Sequence, residues 1–319
     1  MEIHMNYIVM DLEWNQSKKE EENQDMKYEI IQIGAVKLDS NLEIIDEFSS
    51  YIRPQVYLEM DPFLKKILSC DMEDLKKEKC FIEVINEFFN WCGSDYYICT
   101  WGELDLYYLQ NNMEFYHIKR QKGPVKYYDL QKIYSTDSLY FSLEQKKTSL
   151  HTAVNQLQIP EDESFHSAIH DARYTAKVLQ KMGKGIFYSA PSIDCYDVPK
   201  SKSEEVMVRD YYGCEYIFRE FPKKEELLRD REVRRQHCYQ CDRQVKRKLK
   251  WFLGSYNLYY SVTKCKEHGL ILGKIKVKET KDGTYFCRKG FYPIKEEVLE
   301  ELLLRQENIR EKRREKERK

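Results

Sequence analysis

Residues that loosen or break a chain are scarce here, with 12 glycines and 8 prolines among 319 residues. Long apolar runs are missing too, and none approaches the length of a membrane span. The first residues carry neither the basic nor the apolar region of a signal peptide. These absences set aside a membrane-spanning or secreted reading. Net charge is also nearly absent, at −1, but that total conceals two opposite halves. Residues 1–199 hold 21 Lys+Arg against 33 Asp+Glu, a balance of −12, and residues 200–319 hold 32 against 21, a balance of +11. An acidic half joined to a basic half suits a catalytic body carrying an electrostatic docking module for a polyanion, although charge variation between domains would look the same. At 42% hydrophobic and 34% charged the composition is globular, and the length suggests two domains. Most of the 10 cysteines are scattered singly, and the one ordered group has metal-ligand spacing. That usage favours a reducing compartment and a cytoplasmic location.

The stretch Tyr7-Ile-Val-Met-Asp-Leu-Glu-Trp-Asn15 reads as a buried strand, since four largely apolar residues run into Asp11 with no turn signal. Side chains alternate along a strand, so Asp11 and Glu13 share a face. Two neighbouring carboxylates at the end of a buried strand repel each other and resist desolvation, which a divalent cation would relieve. The alternative is the solvated start of a loop.

A polar run from Gln16 to Asp25 reads as an exposed loop. Glu29–Leu38 and Leu42–Ile52 then read as two strands around an Asp39-Ser-Asn41 turn, completing an antiparallel meander with the first. Helices are expected near Asp61–Leu75 and Phe81–Cys92, a strand over Tyr96–Trp101, and a helix opening at Gly102. Further helical stretches are expected from Tyr127 and over Ser149–Leu157. Ala168, Ala172, Ala176 and Leu179 form a small-residue stripe that would pack a helix tightly on the sheet. The pattern predicts an α/β fold with a mixed sheet flanked by helices.

Three more residues join the opening carboxylates: Asp105 on the first turn after the Tyr96–Trp101 strand, Asp171 on the Ala-rich helix, and His166 where that helix begins. Singly, each aspartate has a plain reading as a helix cap, and His166 as a surface histidine. Together, Asp11, Glu13, Asp105, His166 and Asp171 resemble the DEDDh family of 3′–5′ exonucleases through residues 5–183. Asp11-Leu-Glu13 is similar to the first family motif, Cys99-Thr-Trp-Gly-Glu-Leu-Asp105 to the second, and His166-Ser-Ala-Ile-His-Asp171 to the third. The Thr-Trp-Gly lead-in looks like that of ERI-type RNA exonucleases and bacterial sporulation-inhibitor nucleases. Near Leu68-Ser-Cys-Asp71 the chain departs from the family, which often has a Thr-Gly-containing turn there.

The resemblance implies an RNase H-like fold and phosphodiester hydrolysis with two Mg²⁺ or Mn²⁺ ions. Asp11 would bridge the ions, Glu13 and Asp171 would complete one site, and Asp105 would help to hold the other. His166 would be the general base, because imidazole titrates near neutral pH. Leu12 and Trp14, flanking the carboxylates, would line the pocket for the 3′-terminal nucleotide, with a core role as the alternative for Trp14. His170 competes for the role of base, but a helix turns about 100° per residue, so it should point away from Asp171 and is read as a bystander.

Residues 186–222 read as a linker. After Pro222, a charged helix is expected over Lys223–Gln236. Cys238-Tyr-Gln-Cys241 and, 23 residues on, Cys265-Lys-Glu-His268 resemble the two knuckles of a zinc ribbon, with a Cys₃His site for one structural Zn²⁺. His237 or Cys287 could replace one ligand. Lys246-Arg-Lys-Leu-Lys-Trp-Phe-Leu253, Tyr256, Tyr259, Tyr260 and Lys274-Ile-Lys-Val-Lys278 interleave basic with aromatic or apolar residues, which suits phosphate contacts and base stacking. A small ribbon core with a solvated basic face would show the same pattern. Residues 294–319 begin as an amphipathic helix and pass into a charged tail expected to fray.

The expected organisation is therefore an exonuclease domain over 1–185, a linker over 186–222, a basic zinc-ribbon-like β module over 223–293 and a charged helix over 294–319. The expected activity is 3′–5′ exonucleolytic hydrolysis of single-stranded nucleic acid, RNA rather than DNA, with the second module tethering substrate or a ribonucleoprotein. The rivals are a DNA exonuclease of repair or proofreading, and a binding adaptor on an idle nuclease fold.

Overall fold

The computed structural model of the protein describes residues 5–16, 25–62, 64–67, 70–120, 122–136, 140–143, 147–185 and 190–317. Most of the expected loop after Gln16 and the Leu68-Ser69 pair lie outside these residues. The chain divides into two compact units, Met1–Ser135 with Lys147–Phe187, and Thr136–Lys146 with Tyr188–Lys319.

In the first unit, β1 (Asn6–Asn15), β2 (Glu29–Leu38) and β3 (Ile44–Tyr51) form the expected antiparallel meander. β4 (Tyr96–Thr100) joins β1 in parallel, and β5 (Lys126–Asp129) joins β4 in parallel, giving the order β3-β2-β1-β4-β5. One residue in two along β1 serves each layer. Ile8, Met10 and Leu12 pack with Phe81, Ile85 and Phe88 of α3 (Phe81–Cys92) and with Leu106 and Leu109 of α4 (Leu104–Phe115). On the opposite face, Val9 and Val36 pack with Ile169, Ala172, Ala176 and Leu179 of α7 (Ala168–Met182). The small-residue stripe is thus the contact surface of a helix lying close on the sheet.

Between these elements lie the shorter helices α1 (Leu64–Ile67), α2 (Met72–Leu75), α5 (Leu130–Tyr134) and α6 (Leu150–Gln156). The stretch from Tyr127, expected to be helical, enters as a strand: Tyr127 and Tyr128 are buried and Tyr128 pairs with Cys99. Aromatic residues suit a pleated, buried surface. Helix begins only at Leu130, where the Asp129 carboxylate accepts a hydrogen bond from the Lys132 N–H at 2.9 Å.

The second unit is larger than a ribbon. After β6 (Ser192–Ile193), the strands β7 (Val206–Arg209), β8 (Cys214–Ile217), β9 (Lys246–Ser255), β10 (Leu258–Cys265), β11 (Gly269–Glu279) and β12 (Tyr285–Pro293) appear. The last six form one antiparallel sheet in the order β7-β8-β12-β11-β10-β9. The segment expected to be a linker holds β6 and supplies two strands, β7 and β8, to that sheet, where Cys214 and Ile217 are buried core residues. The single helix expected over Lys223–Gln236 is two, α8 (Lys224–Arg229) and α9 (Arg231–Arg234). Asp230 divides them, since its carboxylate accepts from the N–H groups of Glu232 and Val233 and starts a new helix. α10 (Glu296–Glu317) continues through the tail expected to fray. It is anchored by Leu302, which is buried with Leu249, Tyr260, Val262 and Leu272.

Candidate active site

The β1–β4 ladder ends at Val9 opposite Cys99, so β1 continues past its parallel neighbour paired with β2 on its other edge. Asp11 and Glu13 occupy that extension, with Gly34 and Gln32 of β2 as their cross-strand partners. Asp171, on the first turn of α7, reaches the same point, and Asp11, Glu13 and Asp171 each offer a carboxylate oxygen within 4.8 Å of the others.

Gly34 makes this approach possible. A β-carbon on Gly34 would sit 2.1 Å from the Ala168 carbonyl carbon and the Ile169 nitrogen, inside the first turn of α7. The side-chain oxygen of Gln32, the cross-strand partner of Glu13, accepts a hydrogen bond from the Ala168 N–H at 3.2 Å. The helix start is thus tied to the strand pair carrying Asp11 and Glu13. Asp105 arrives from the other layer, at the start of α4, and its carboxylate accepts from the Leu12 backbone N–H.

Four carboxylates gathered at the end of a buried strand are electrostatically frustrated. Burial, followed by the neighbouring Asp105, Asp171 and Glu13 charges, raises the Asp11 carboxyl well above its ordinary range. Burial and the Asp171 and Asp105 charges bring Glu13 to about 7. Burial, with Asp129 and Asp171 nearby, raises Asp105 to about 7 against the opposing backbone N–H groups. Burial raises Asp171 as well, against the backbone N–H and charge of His166. One Asp171 oxygen, Oδ1, is buried without a hydrogen-bond partner. An oxygen-only donor set with raised pKa values and an orphaned buried oxygen fits hard divalent cations, which supply the missing positive charge.

His166 precedes α7, exposed, with φ of 68°. Its backbone N–H donates to Asp171 Oδ2 at 3.2 Å. His170 is elsewhere engaged, with Nδ1 2.9 Å from the Ser164 carbonyl oxygen and Nε2 3.7 Å from Glu163. Leu12 is only 4% exposed and belongs to the core. Trp14 is partly exposed and packs against Tyr28 and Tyr108, with ring centroids 5.8 and 5.2 Å away.

Besides Gly34 and Gln32, sequence reasoning missed Asn15 and Asn112. The Asn15 amide donates to the Tyr57 and Glu59 carbonyls at 3.1 and 2.8 Å, and its oxygen accepts from the Asp61 N–H at 2.9 Å. Asn112 accepts from the Ile30 N–H and donates to the Tyr28 carbonyl. Of these, only Gly34 left a signal, as a glycine within an apolar strand marks close backbone approach.

In the second unit, Cys238, Cys241, Cys265 and His268 place their ligand atoms within 4.8 Å of one another, a group that can hold a metal ion. Cys241 Sγ is 3.8 Å from Cys265 Sγ, and His268 Nδ1 is 3.4 and 3.6 Å from the sulfurs of Cys238 and Cys265. Burial raises Cys238 to about 11. Burial also raises Cys265, but the N–H groups of His268 and Glu267 outweigh it and bring that thiol to about 6. The two alternatives lie apart from the group: His237 Nε2 is 3.1 Å from the Tyr216 hydroxyl, and Cys287 packs with Ile275 and Val277.

The profile of the RNase T exonuclease family matches residues 8–179, more than half of the chain. The chain belongs to that family. Its members use divalent metal ions, in keeping with the oxygen-only donor set. Among curated relatives, "3′-5′ exoribonuclease 1" of Rattus norvegicus is 23% identical over 164 residues, covering 49% of this chain and 47% of the relative. "Probable 3′-5′ exonuclease KapD" of Bacillus subtilis is 27% identical over 177 residues, covering 54% and 82%. The chain thus spans about half the length of the mammalian relatives it matches. Among solved structures, the nuclease domain of 3′hExo, "a DEDDh family member, bound to rAMP", aligns with TM-score 0.48 and 19% identity over 56% of this chain and 90% of that one. The membership and the observed β3-β2-β1-β4-β5 order make the first unit an RNase H-like mixed sheet with helices on both faces.

Proposed function

We propose that this chain is a metal-dependent 3′–5′ exonuclease that hydrolyses phosphodiester bonds at single-stranded nucleic acid ends, RNA in preference to DNA. The observation that carries the reading is the group Asp11, Glu13 and Asp171, with oxygens within 4.8 Å and an orphaned Asp171 Oδ1. Asp11, Glu13 and Asp171, helped by Asp105, would hold two Mg²⁺ or Mn²⁺ ions. When bound, the ions supply positive charge to the carboxylates and to the attacking and leaving oxygens of an in-line displacement. His166 accepts the proton of the attacking water, for which its exposed position beside Asp171 is suited. Trp14 offers an aromatic surface for the terminal base; the preference for RNA draws its support from relatives named as exoribonucleases.

The second unit has a structural Zn²⁺ in this reading. Tetrahedral zinc with Zn–S bonds of about 2.3 Å sets sulfurs about 3.8 Å apart, and Cys241 and Cys265 have that separation. Four protein ligands leave no open position for substrate, so the ion holds the Cys238–Cys241 loop to the β10–β11 turn. Exposed Lys246, Arg247, Lys248 and Lys250 on the edge strand β9 supply phosphate contacts for a single strand or a ribonucleoprotein. The cysteines scattered singly along the sequence, with one group at metal-ligand spacing, favour a reducing, cytoplasmic setting.

The test is Mn²⁺-dependent digestion of matched RNA and DNA single strands, each with a free or a blocked 3′ end. Mononucleotides released faster from RNA, and only from free ends, are expected. Release from blocked ends rejects the exonuclease reading, and faster release from DNA rejects the substrate preference.

A further inference from the structure

α7 does more than carry Asp171. The segment before it, residues 162–166, folds back along the helix and is gripped by successive turns of it. His170 Nδ1 lies 2.9 Å from the Ser164 carbonyl oxygen, which accepts its proton. The fully buried Tyr174 both accepts from the Glu163 N–H at 2.9 Å and donates to the Glu163 carbonyl at 2.7 Å. Its ring stacks on Phe165, with centroids 4.6 Å apart and planes 18° from parallel. Arg173 joins the Glu163 carboxylate to Glu47 of β3, and Lys177 holds Asp162 at 2.9 and 3.1 Å.

Residues 170, 173, 174 and 177 follow the spacing of one helical face, and their partners run in the reverse order 164, 163 and 162. Such a register clasps a backbone rather than merely decorating a surface. Its product is the placement of the next residue, His166, in the left-handed region at φ 68°, a conformation that costs a non-glycine residue free energy unless its surroundings impose it. We propose that this face of α7 positions His166, with His170 and Tyr174 as positioning residues. The proposal rests on the reading of His166 as general base. The helix that supplies one metal-ligating carboxylate thereby also fixes the proton acceptor relative to it.

A misplacement of about 1 Å can cost a reacting group about 100-fold in rate, so loosening the clasp should appear in turnover rather than in binding. The experiment measures kcat and KM with Mn²⁺ on a 3′-labelled single strand, together with thermal unfolding. The proteins are wild type, Tyr174→Phe, His170→Ala, His170→Asn, His166→Ala and the double variant His166→Ala/Tyr174→Phe. Tyr174→Phe keeps the stacked ring and removes both backbone bonds. The expected result is a kcat lowered about 10-fold or more by Tyr174→Phe and by His170→Ala, with KM unchanged. His170→Asn, which keeps a donor near the Nδ1 position, should restore most of the loss. In the His166→Ala background, Tyr174→Phe should cost nothing further. An equal loss in that background, or loss only in proportion to lowered thermal stability, overturns the clasp while leaving His166 as base. Undiminished kcat in His166→Ala alone overturns the base reading instead.

Discussion

The carboxylates of the first unit are held together against their mutual repulsion, whereas the cysteines of the second are drawn together by the backbone around them. Asp11, Glu13, Asp105 and Asp171 all have raised pKa values, and one oxygen of Asp171 lacks a partner. In the second unit, two N–H groups reach the sulfur of Cys238 and two that of Cys265, so each sulfur carries its own hydrogen bonds. In the proposed reading the first arrangement gives up stability to keep charge available for divalent ions. In the same reading the second would use its four side chains to hold a loop to a turn through a structural ion, with no position left open. A site with unrelieved charge is the one to suspect of chemistry.

Metal removal should separate the two centres most sharply. Cys238→Ser, or chelation strong enough to strip zinc, should unfold the second unit, because apparent zinc affinities of about 10–16 kcal/mol are folding free energy in such sites. The loss of cooperative unfolding and of one bound zinc per chain would be read by calorimetry and metal analysis. Full stability without zinc would remove the structural role. Weak chelation of Mg²⁺ or Mn²⁺ should stop hydrolysis and leave the fold intact.

Gly34→Ala comes next. The added methyl meets backbone atoms of α7 at 2.1 Å and cannot rotate away. The helix must shift off the sheet and carry Asp171 from Asp11, at a cost of roughly 3 kcal/mol or more in stability. Activity should fall with it, and a variant of normal stability and activity would show that the close approach is dispensable.

The pH dependence of the metal-free protein is a smaller effect with a definite sign. Glu13 and Asp105 titrate near 7 when folded, above the ordinary carboxylate range of the unfolded chain. Between about pH 4 and pH 7 the folded state therefore holds more protons than the unfolded one. Stability that is present at low pH is lost as pH rises through that window, by roughly 2 kcal/mol after allowance for partial solvation. Added Mg²⁺ should restore it near neutrality, and Asp11→Asn should raise the melting temperature of the metal-free protein. A melting temperature that rises from pH 5 to 7 without metal contradicts the frustrated cluster.

Least in magnitude, Lys248→Ala with Lys250→Ala should weaken substrate binding several-fold, or about 1 kcal/mol. It should also reduce the slope of log affinity against log salt by about 2. An unchanged slope would leave those exposed lysines as a solvated face.

The first unit was legible because its elements follow simple periods. Alternation along Tyr7–Asn15 gave the shared face of Asp11 and Glu13, and the alanine stripe gave the face of α7 that meets the sheet. Side-chain identity also marked Cys238, Cys241, Cys265 and His268 as a group, since paired ligands at short spacing need no long-range geometry. Cross-strand and helix-to-loop contacts were not legible. Gln32 bonding to Ala168 and His170 bonding to Ser164 depend on how elements meet, which no local period records. The strands Val206–Arg209 and Cys214–Ile217 were hidden by length. Four residues of mixed polarity resemble a linker until a sheet edge claims them.

The central claim is that the repelling carboxylates are a metal-dependent hydrolytic centre. It is tested most directly by mononucleotide release from a 3′-labelled single strand in Mn²⁺, wild type against Asp11→Asn. The substitution keeps the shape of the side chain and removes the charge expected to be shared between two ions, so release should fall at least about 100-fold while the fold persists. Undiminished release by Asp11→Asn would contradict the account.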